Sequence, residues 1–368
     1  MTSAARQAEA DQVSAAFHVA LTQIGARTTA EALALWAEVP TGQRAAAAAG
    51  WLRQAITLVM SRRRMSRDLA RAYYRLARAL HTGRTTADPY HPEPAYITLD
   101  SLRREFAALA GLSEPTPPEK PALQPRGSEE EPLVDKDAQA ATGADKSGDQ
   151  EHEDADRILV EEIARLREEE ERIEREAEEE LRAALDALGT RNLDRRLSQI
   201  DDQQPARDAD EARQEAHRQA GAQQAASASR IAMNGGRSTI WHHTQRDRRA
   251  LGYVRVSRTG TPCGFCAMLI SRGVSYKSEA SATYKDGDLF HDRCHCYAEP
   301  VFSRQQFGSS ELFALNRQYE ALWPEVTKGH TGRDALNAWR RFIRRKQREL
   351  HKAAAQEARQ SATTTQEA

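Results

Sequence analysis

Apolar residues recur at intervals of three and four along most of the chain, the spacing that places them on one face of an α-helix. Near the N-terminus Phe17, Leu21 and Ile24 form one such stripe, and Ala32, Leu35, Trp36 and Val39 a second. A stronger stripe runs through Trp51, Ala55, Leu58 and Val59, then Leu69, Tyr73, Leu76, Ala77 and Leu80, until Gly83 stops it. Ala and Arg, both good helix formers, fill much of the space between. Residues 1–110 therefore read as an N-terminal helical domain. Arg62, Arg63, Arg64, Arg67, Arg71, Arg75 and Arg78 give it a basic flank. The flank is either a solvated helix surface or a contact for nucleic acid or an acidic partner.

The pattern breaks at residues 111–156. Pro115, Pro117, Pro118, Pro121, Pro125 and Pro132 crowd together here, followed by Gly, Ser, Asp and Glu. Such sequence has too little apolar area and too few backbone donors to pack, so a disordered linker is expected. Residues 157–233 read as charged long helices. Leu159, Ile163, Leu166, Ile173, Ala177, Leu181, Ala184 and Leu188 make a narrow stripe through a run dense in Glu. That stripe fits a solvated helix or a coiled-coil seam, the latter allowing self-association through 157–188. Helix is expected again through Leu193, Leu197 and Ile200 and from Asp208 to Met233, with Asn234-Gly235-Gly236 as a turn.

Between Gly252 and Phe302 the texture shortens to strand-like pieces, Tyr253-Val254-Arg255-Val256 and Tyr297 to Phe302, set apart by Gly and Pro. Residues 234–310 thus form a Cys/His-containing module. Residues 311–352 return to helix, with Leu336, Trp339, Phe342, Ile343 and Leu350 on the apolar face. Arg340, Arg341, Arg344, Arg345, Lys346 and Arg348 make this helix basic, opposed by Asp334 and Glu349. Such a face binds double-stranded DNA through phosphates, without reading sequence, or docks on an acidic surface of a partner protein or on the chain's own Glu-rich helix. Residues 353–368 read as a flexible polar tail. The fold class that follows is mainly α, with a small α+β metal-binding module, long helices and a disordered Pro-rich and acidic linker.

Composition agrees: of 368 residues only 39% are hydrophobic and 6% aromatic, too few for every segment to offset its conformational entropy. The 53 basic and 54 acidic residues nearly cancel, which hides segments of opposite sign. No apolar run approaches the roughly 18–20 residues of a membrane span, and MTSAARQAEADQ has no apolar stretch of signal-peptide type. A soluble protein with no membrane partner is expected.

All four cysteines lie between Cys263 and Cys296. Cys263-Gly264-Phe265-Cys266 lets two thiolates reach one ion from a tight turn, and His291, Cys294, His295 and Cys296 offer four donors for the two remaining tetrahedral places. A structural zinc ion is the reading, with a redox pair, disulfides or inert buried thiols as the other uses of such residues. A catalytic ion needs an open position and a nearby base, for which Asp292 and Glu299 are available. His291-Asp292 faintly resembles the His-containing strand of metal-dependent nucleases with a ββα core, but the spacing is a poor match. His242 and His243, beside Trp241, read as a surface pair. No GxSxG, P-loop, dinucleotide fingerprint or HExxH is present. No catalytic or organic-cofactor residue is assigned.

Tyr253-Val-Arg-Val256, Cys263-Gly-Phe-Cys266-Ala-Met-Leu-Ile-Ser-Arg-Gly273, Phe290-His291-Asp-Arg-Cys294-His-Cys296 and Pro300-Val-Phe302 together resemble the Mu F-like minor head proteins of tailed, especially actinobacterial, bacteriophages. Asp68-Leu-Ala-Arg-Ala-Tyr73-Tyr74-Arg-Leu-Ala-Arg-Ala-Leu80-His-Thr-Gly83 looks like the opening helical region of the same proteins. The resemblance implies a minor capsid or head morphogenesis protein, made in the host cytoplasm and carried in few copies in the phage head interior. Its partners would be portal and capsid proteins, and it would accompany packaged DNA. The CxxC and HxxCxC patterns that recur in that family fall here on Cys263, Cys266, His291, Cys294 and Cys296. Some relatives are labelled or fused as capsid maturation proteases, which makes that activity one enzyme alternative, and the likeness at His291-Asp292 makes a metal-dependent nuclease the other. A zinc-containing DNA-binding module outside any virion is the binding alternative.

Overall fold

In the computed structural model, residues 2–41, 44–86, 97–112, 148–200, 205–258, 262–274, 290–292 and 294–366 are described, the side chains of 44–46, 148–166 and 357–366 excepted. The chain is mainly α-helical, with one two-stranded sheet among the described residues and a Cys/His cluster near it, the class that the periodicity predicts. It divides into two units, one of residues 1–240 and 285–294, the other of residues 241–284 and 295–368.

The first unit begins with α1 (Ser3–Ala37) and α2 (Arg44–Thr82). The Thr2 hydroxyl caps α1 by accepting the Ala5 N–H at 3.3 Å. Their stripes face each other: Phe17 stacks on Tyr73 at 4.3 Å between ring centroids, and Trp36 meets Trp51 edge-on at 4.9 Å. Gly83 ends α2 with φ of 77°, a conformation that costs glycine nothing. The third helix, α3 (Leu99–Ala110), opens on a capping box of Thr98 and Ser101 and brings Phe106 against Tyr73.

Two long helices complete the unit. Of the linker assigned to residues 111–156, residues 113–147 lie outside the described residues, and the acidic helix α4 (Gly148–Leu188) starts inside the span that composition gives to the linker. Its Ile173, Ala177, Leu181 and Leu185 are buried, the two leucines in one core with Trp36, Trp51 and Val59, so this part of the helix is already occupied. Each fully buried leucine contributes about 1.5–3 kcal/mol. After α5 (Thr190–Leu197), α6 runs from Ala206 to Arg246.

Two expectations need correction here. The basic flank of α2 is for the most part not a solvated surface: Arg64 is exposed, but Arg63, Arg71, Arg75 and Arg78 are buried. Arg63 Nε donates to Glu174 at 2.8 Å, Arg67 Nη1 lies 3.3 Å from the same carboxylate, and Arg71 Nη1 lies 3.5 Å from Glu170. Arg75 pairs with Glu105 of α3 at 3.0 Å, while Arg78 donates to the carbonyls of Arg84 and Thr85. The acidic partner is thus the protein's own α4 and α3. Nor is Asn234-Gly235-Gly236 a turn. Both glycines sit inside α6, where a Cβ on Gly235 would come within 2.5 Å of the Arg63 carbonyl oxygen and one on Gly236 within 2.7 Å of that of Ser66. Glycine here serves close helix approach. The Ser66 hydroxyl bridges the seam, donating to the Ala232 carbonyl at 2.6 Å and accepting the Gly236 N–H at 2.9 Å.

The second unit is built on β1 (Gly252–Val256) and β2 (Tyr297–Val301), antiparallel and in register from Gly252 opposite Val301 to Val256 opposite Tyr297. Between them in sequence lies the short α7 (Gly264–Ile270). After β2 come α8 (Arg304–Ser309), a 3-10 turn at Glu311–Phe313, α9 (Ala314–Val326) and α10 (Gly332–Gln366). Trp339 of α10 is fully buried, edge-on to Tyr319 at 5.6 Å and tilted against Trp323 at 5.1 Å. Ile343 is buried beside it, whereas Leu350, assigned to the same face, is 51% exposed because the helix by then has left its neighbours. α10 continues across the polar tail to Gln366, since Ala353 to Ala355 favour helix.

Candidate metal centre

The hairpin explains why cysteines distant in sequence meet. β1 ends at Val256 and β2 begins at Tyr297, and these two residues pair. The CxxC segment follows that end of β1, and Cys296 immediately precedes β2, so the pairing delivers both to one end of the sheet. Cys294, two residues before Cys296, is held by the covalent chain to within about 7 Å of it between Cα atoms.

Cys263 is the N-cap of α7, its sulfur accepting the Cys266 N–H at 3.4 Å. That contact is the turn the CxxC spacing implies. Cys263 is partly exposed, whereas Cys266, Cys294 and Cys296 are buried, and none of the four is in a disulfide. Among the described residues, two groups of donors have their ligating atoms within 4.8 Å of one another: Cys263, Cys266 and His291, and Cys266, Cys294 and Cys296. Cys266 is common to both. The chemistry of this set, four sulfurs and an imidazole, suits zinc, which takes Cys and His ligands in tetrahedral sites.

The surroundings add three groups that sequence reasoning missed. Arg255 of β1 is buried and places Nη1 3.7 Å from the Cys266 sulfur, where its positive charge offsets that of a thiolate-rich site. Asn316 of α9 donates to the carbonyls of Arg255 at 2.9 Å and Ile270 at 3.3 Å, tying strand, α7 and α9 together. Within the first unit, Arg237 of α6 donates to the Cys294 carbonyl at 2.7 Å and lies over the Phe290 ring at 4.2 Å. The one sequence signal for the first was a charged residue in an otherwise apolar strand. The other two came from distant helices and left none.

The carboxylates considered as catalytic bases are placed as follows. Asp292 accepts from Arg230 Nε at 2.8 Å, and the same guanidinium donates to Glu180 at 2.8 Å. Burial alone would lower the pKa of Arg230, but these two carboxylates outweigh it and raise it. Glu299 is buried on β2, opposite Val254. The exposed His291 has Nδ1 2.8 Å from the Asp292 carbonyl oxygen. His242 is half-buried and meets Trp241 edge-on at 4.6 Å, and His243 is also half-buried. Of the basic residues assigned to DNA or a partner, Arg340, Arg341, Arg344, Arg345, Lys346 and Arg348 are all exposed along α10.

A mainly helical protein with a sulfur-rich hairpin module is the class that these features define. Residues 195–322, about a third of the chain, match the family described as VG15 protein, a family of phage gene products, and the match points to a bacteriophage origin. It spans the whole of α6, both strands and the cysteine segment. No curated protein and no solved structure matches. No helix among the described residues is long and apolar enough to cross a membrane.

Proposed function

We propose that this chain is a minor capsid or head morphogenesis protein of a tailed phage, associated with the portal inside the procapsid, and that its cysteine module is built around one structural zinc ion. The observation that carries the reading is the family match over residues 195–322, which coincides with the stretch whose cysteine and strand motifs resemble the minor head proteins. Cys263 and Cys266 would supply two ligands, and His291, Cys294 and Cys296 the other two. The ion would supply folding energy to a module whose described residues form a sheet of two strands, too few to be stable alone. A structural role is favoured over a nuclease because one candidate base, Asp292, is engaged by Arg230 and the other, Glu299, is buried on β2. In a protease or nuclease reading some carboxylate near the cysteines must be free to accept a proton.

Purified particles of the encoding phage test the assignment. Peptides of this chain should be found by mass spectrometry in procapsids and in mature heads, at a few copies per particle. Its absence from both, with abundant protein in the infected cell, would overturn the head assignment.

A further inference from the structure

α9 and α10 enclose a groove of about 970 Å³ that the proposed function does not use. Its apolar lining consists of Leu322 and Val326 on α9 with Ala338 and Phe342 on α10. Leu322, Val326 and Phe342 are only half-buried, so this lining is open to a partner. Phe342 is backed by Trp339, stacked at 5.5 Å. Along one side stand Arg341, Arg344, Arg345 and Arg348, spaced three and four apart and therefore on one helix face. Glu325 is the acidic residue that faces them in the lining. The basic residues of α10 thus do not act as one cluster. Arg340 instead packs beside Gly264 of α7, and Lys346 lies 3.3 Å from Glu349, a carboxylate that Arg345 of the row approaches at 3.9 Å.

An apolar strip beside a row of guanidinium groups is what an amphipathic helix with carboxylates along one edge of its apolar face would need. Duplex DNA could use the arginines but would leave Leu322, Val326 and Phe342 without a partner. The first unit shows the same chemistry in place. There Arg63, Arg67 and Arg71 receive Glu170 and Glu174 of α4, while Ile173, Ala177 and Leu181 of that helix are buried.

We propose that the groove between α9 and α10 is a docking site for an acidic amphipathic helix of another protein. The inference stands on the groove alone and does not depend on the head assignment. Charge on the arginine row sets encounter and orientation, and insertion of apolar side chains beside Phe342 sets lifetime.

The test uses the full-length protein and a labelled peptide of residues 167–188, the acidic amphipathic stretch on the page, with a scrambled peptide of equal composition. Fluorescence anisotropy should show the native-order peptide binding at least tenfold tighter than the scrambled one. Arg341→Gln with Arg345→Gln should weaken it by tenfold or more, with an unchanged thermal transition. Phe342→Ala should weaken the native-order peptide but not the scrambled one. Binding untouched by the arginine changes would mean that the peptide displaces its own copy on α2, and would overturn the proposal. Equal affinity for both peptides, together with tighter binding of a 20-base-pair duplex, would make the face a nucleic-acid surface and overturn it as well. So would no binding at low salt.

Discussion

Gly235→Ala separates the turn that sequence suggests from the helix seam that the structure contains. In an exposed helix interior the change should stabilise, because alanine is favoured over glycine by about 1 kcal/mol. At Gly235 the new Cβ would lie 2.5 Å from the Arg63 carbonyl oxygen and 2.7 Å from both Arg63 Cγ and Ser66 Oγ. Backbone oxygen cannot swing aside, so α6 and α2 must separate. Overpacking of this kind costs about 1–3 kcal/mol, and a backbone neighbour puts it near the upper end. Less the gain of about 1 kcal/mol in helix preference, the net loss is about 2 kcal/mol. Gly50→Ala is the control, since nothing lies within 4 Å of its Cβ position in α2. Native-state hydrogen exchange followed along α2 and α6 is the suitable assay, because a chain of two units need not melt in one transition. Gly235→Ala should speed exchange there by roughly 30-fold, and Gly50→Ala should slow it by up to about fivefold. If Gly235→Ala slowed exchange as Gly50→Ala does, the close seam through Ser66 would be refuted.

Other predictions address the buried charges. Glu174→Gln leaves Arg63, 1% exposed, with an uncompensated charge; breaking such a pair costs about 3–5 kcal/mol, reduced here to roughly 2–4 because Arg63 keeps the Ile231 carbonyl at 3.2 Å. Urea titration should show that loss, and a double change of Arg63 and Glu174 to Met should recover most of it; a Glu174→Gln midpoint equal to that of the parent would contradict the ladder. Burial pushes the His81 imidazole down to about 4 from 6.5. Its folded pKa being the lower, the unfolded chain binds the proton first, so this contribution is complete above about pH 6.5 and is lost as pH falls toward 4. The loss is up to about 3 kcal/mol. His81→Leu should flatten that part of the stability profile, and ring titration of His81 near 6.5 in the folded protein would contradict the burial.

The helical stripes were legible because helix packing is written in local spacing, and Gly83 marked its stop for a local reason. The two strands were legible for the same reason, with β2 ending one residue early. What could not be read was pairing at a distance. Arg63, Arg67 and Arg71 look like a solvated flank until α4 is seen to supply Glu170 and Glu174 from a hundred positions away. Gly235 and Gly236 carry the composition of a turn, and only the approach of the α2 backbone shows that their use is the missing Cβ. In the cysteine module the donor types followed from spacing. Arg255 and Asn316, which fix β1, α7 and α9 around Cys266, belong to contacts with no sequence period.

Zinc content of the full-length protein bears most directly on the central claim, that the cysteine module is folded around an ion. Purified under reducing conditions, the protein should carry about one zinc per chain by elemental analysis, and Cys266→Ser should lower that to near zero. Chelation should release the zinc together with faster hydrogen exchange confined to β1, α7 and β2. Metal-free protein whose hairpin amides exchange as slowly before as after chelation, with all four thiols open to titration, would contradict it.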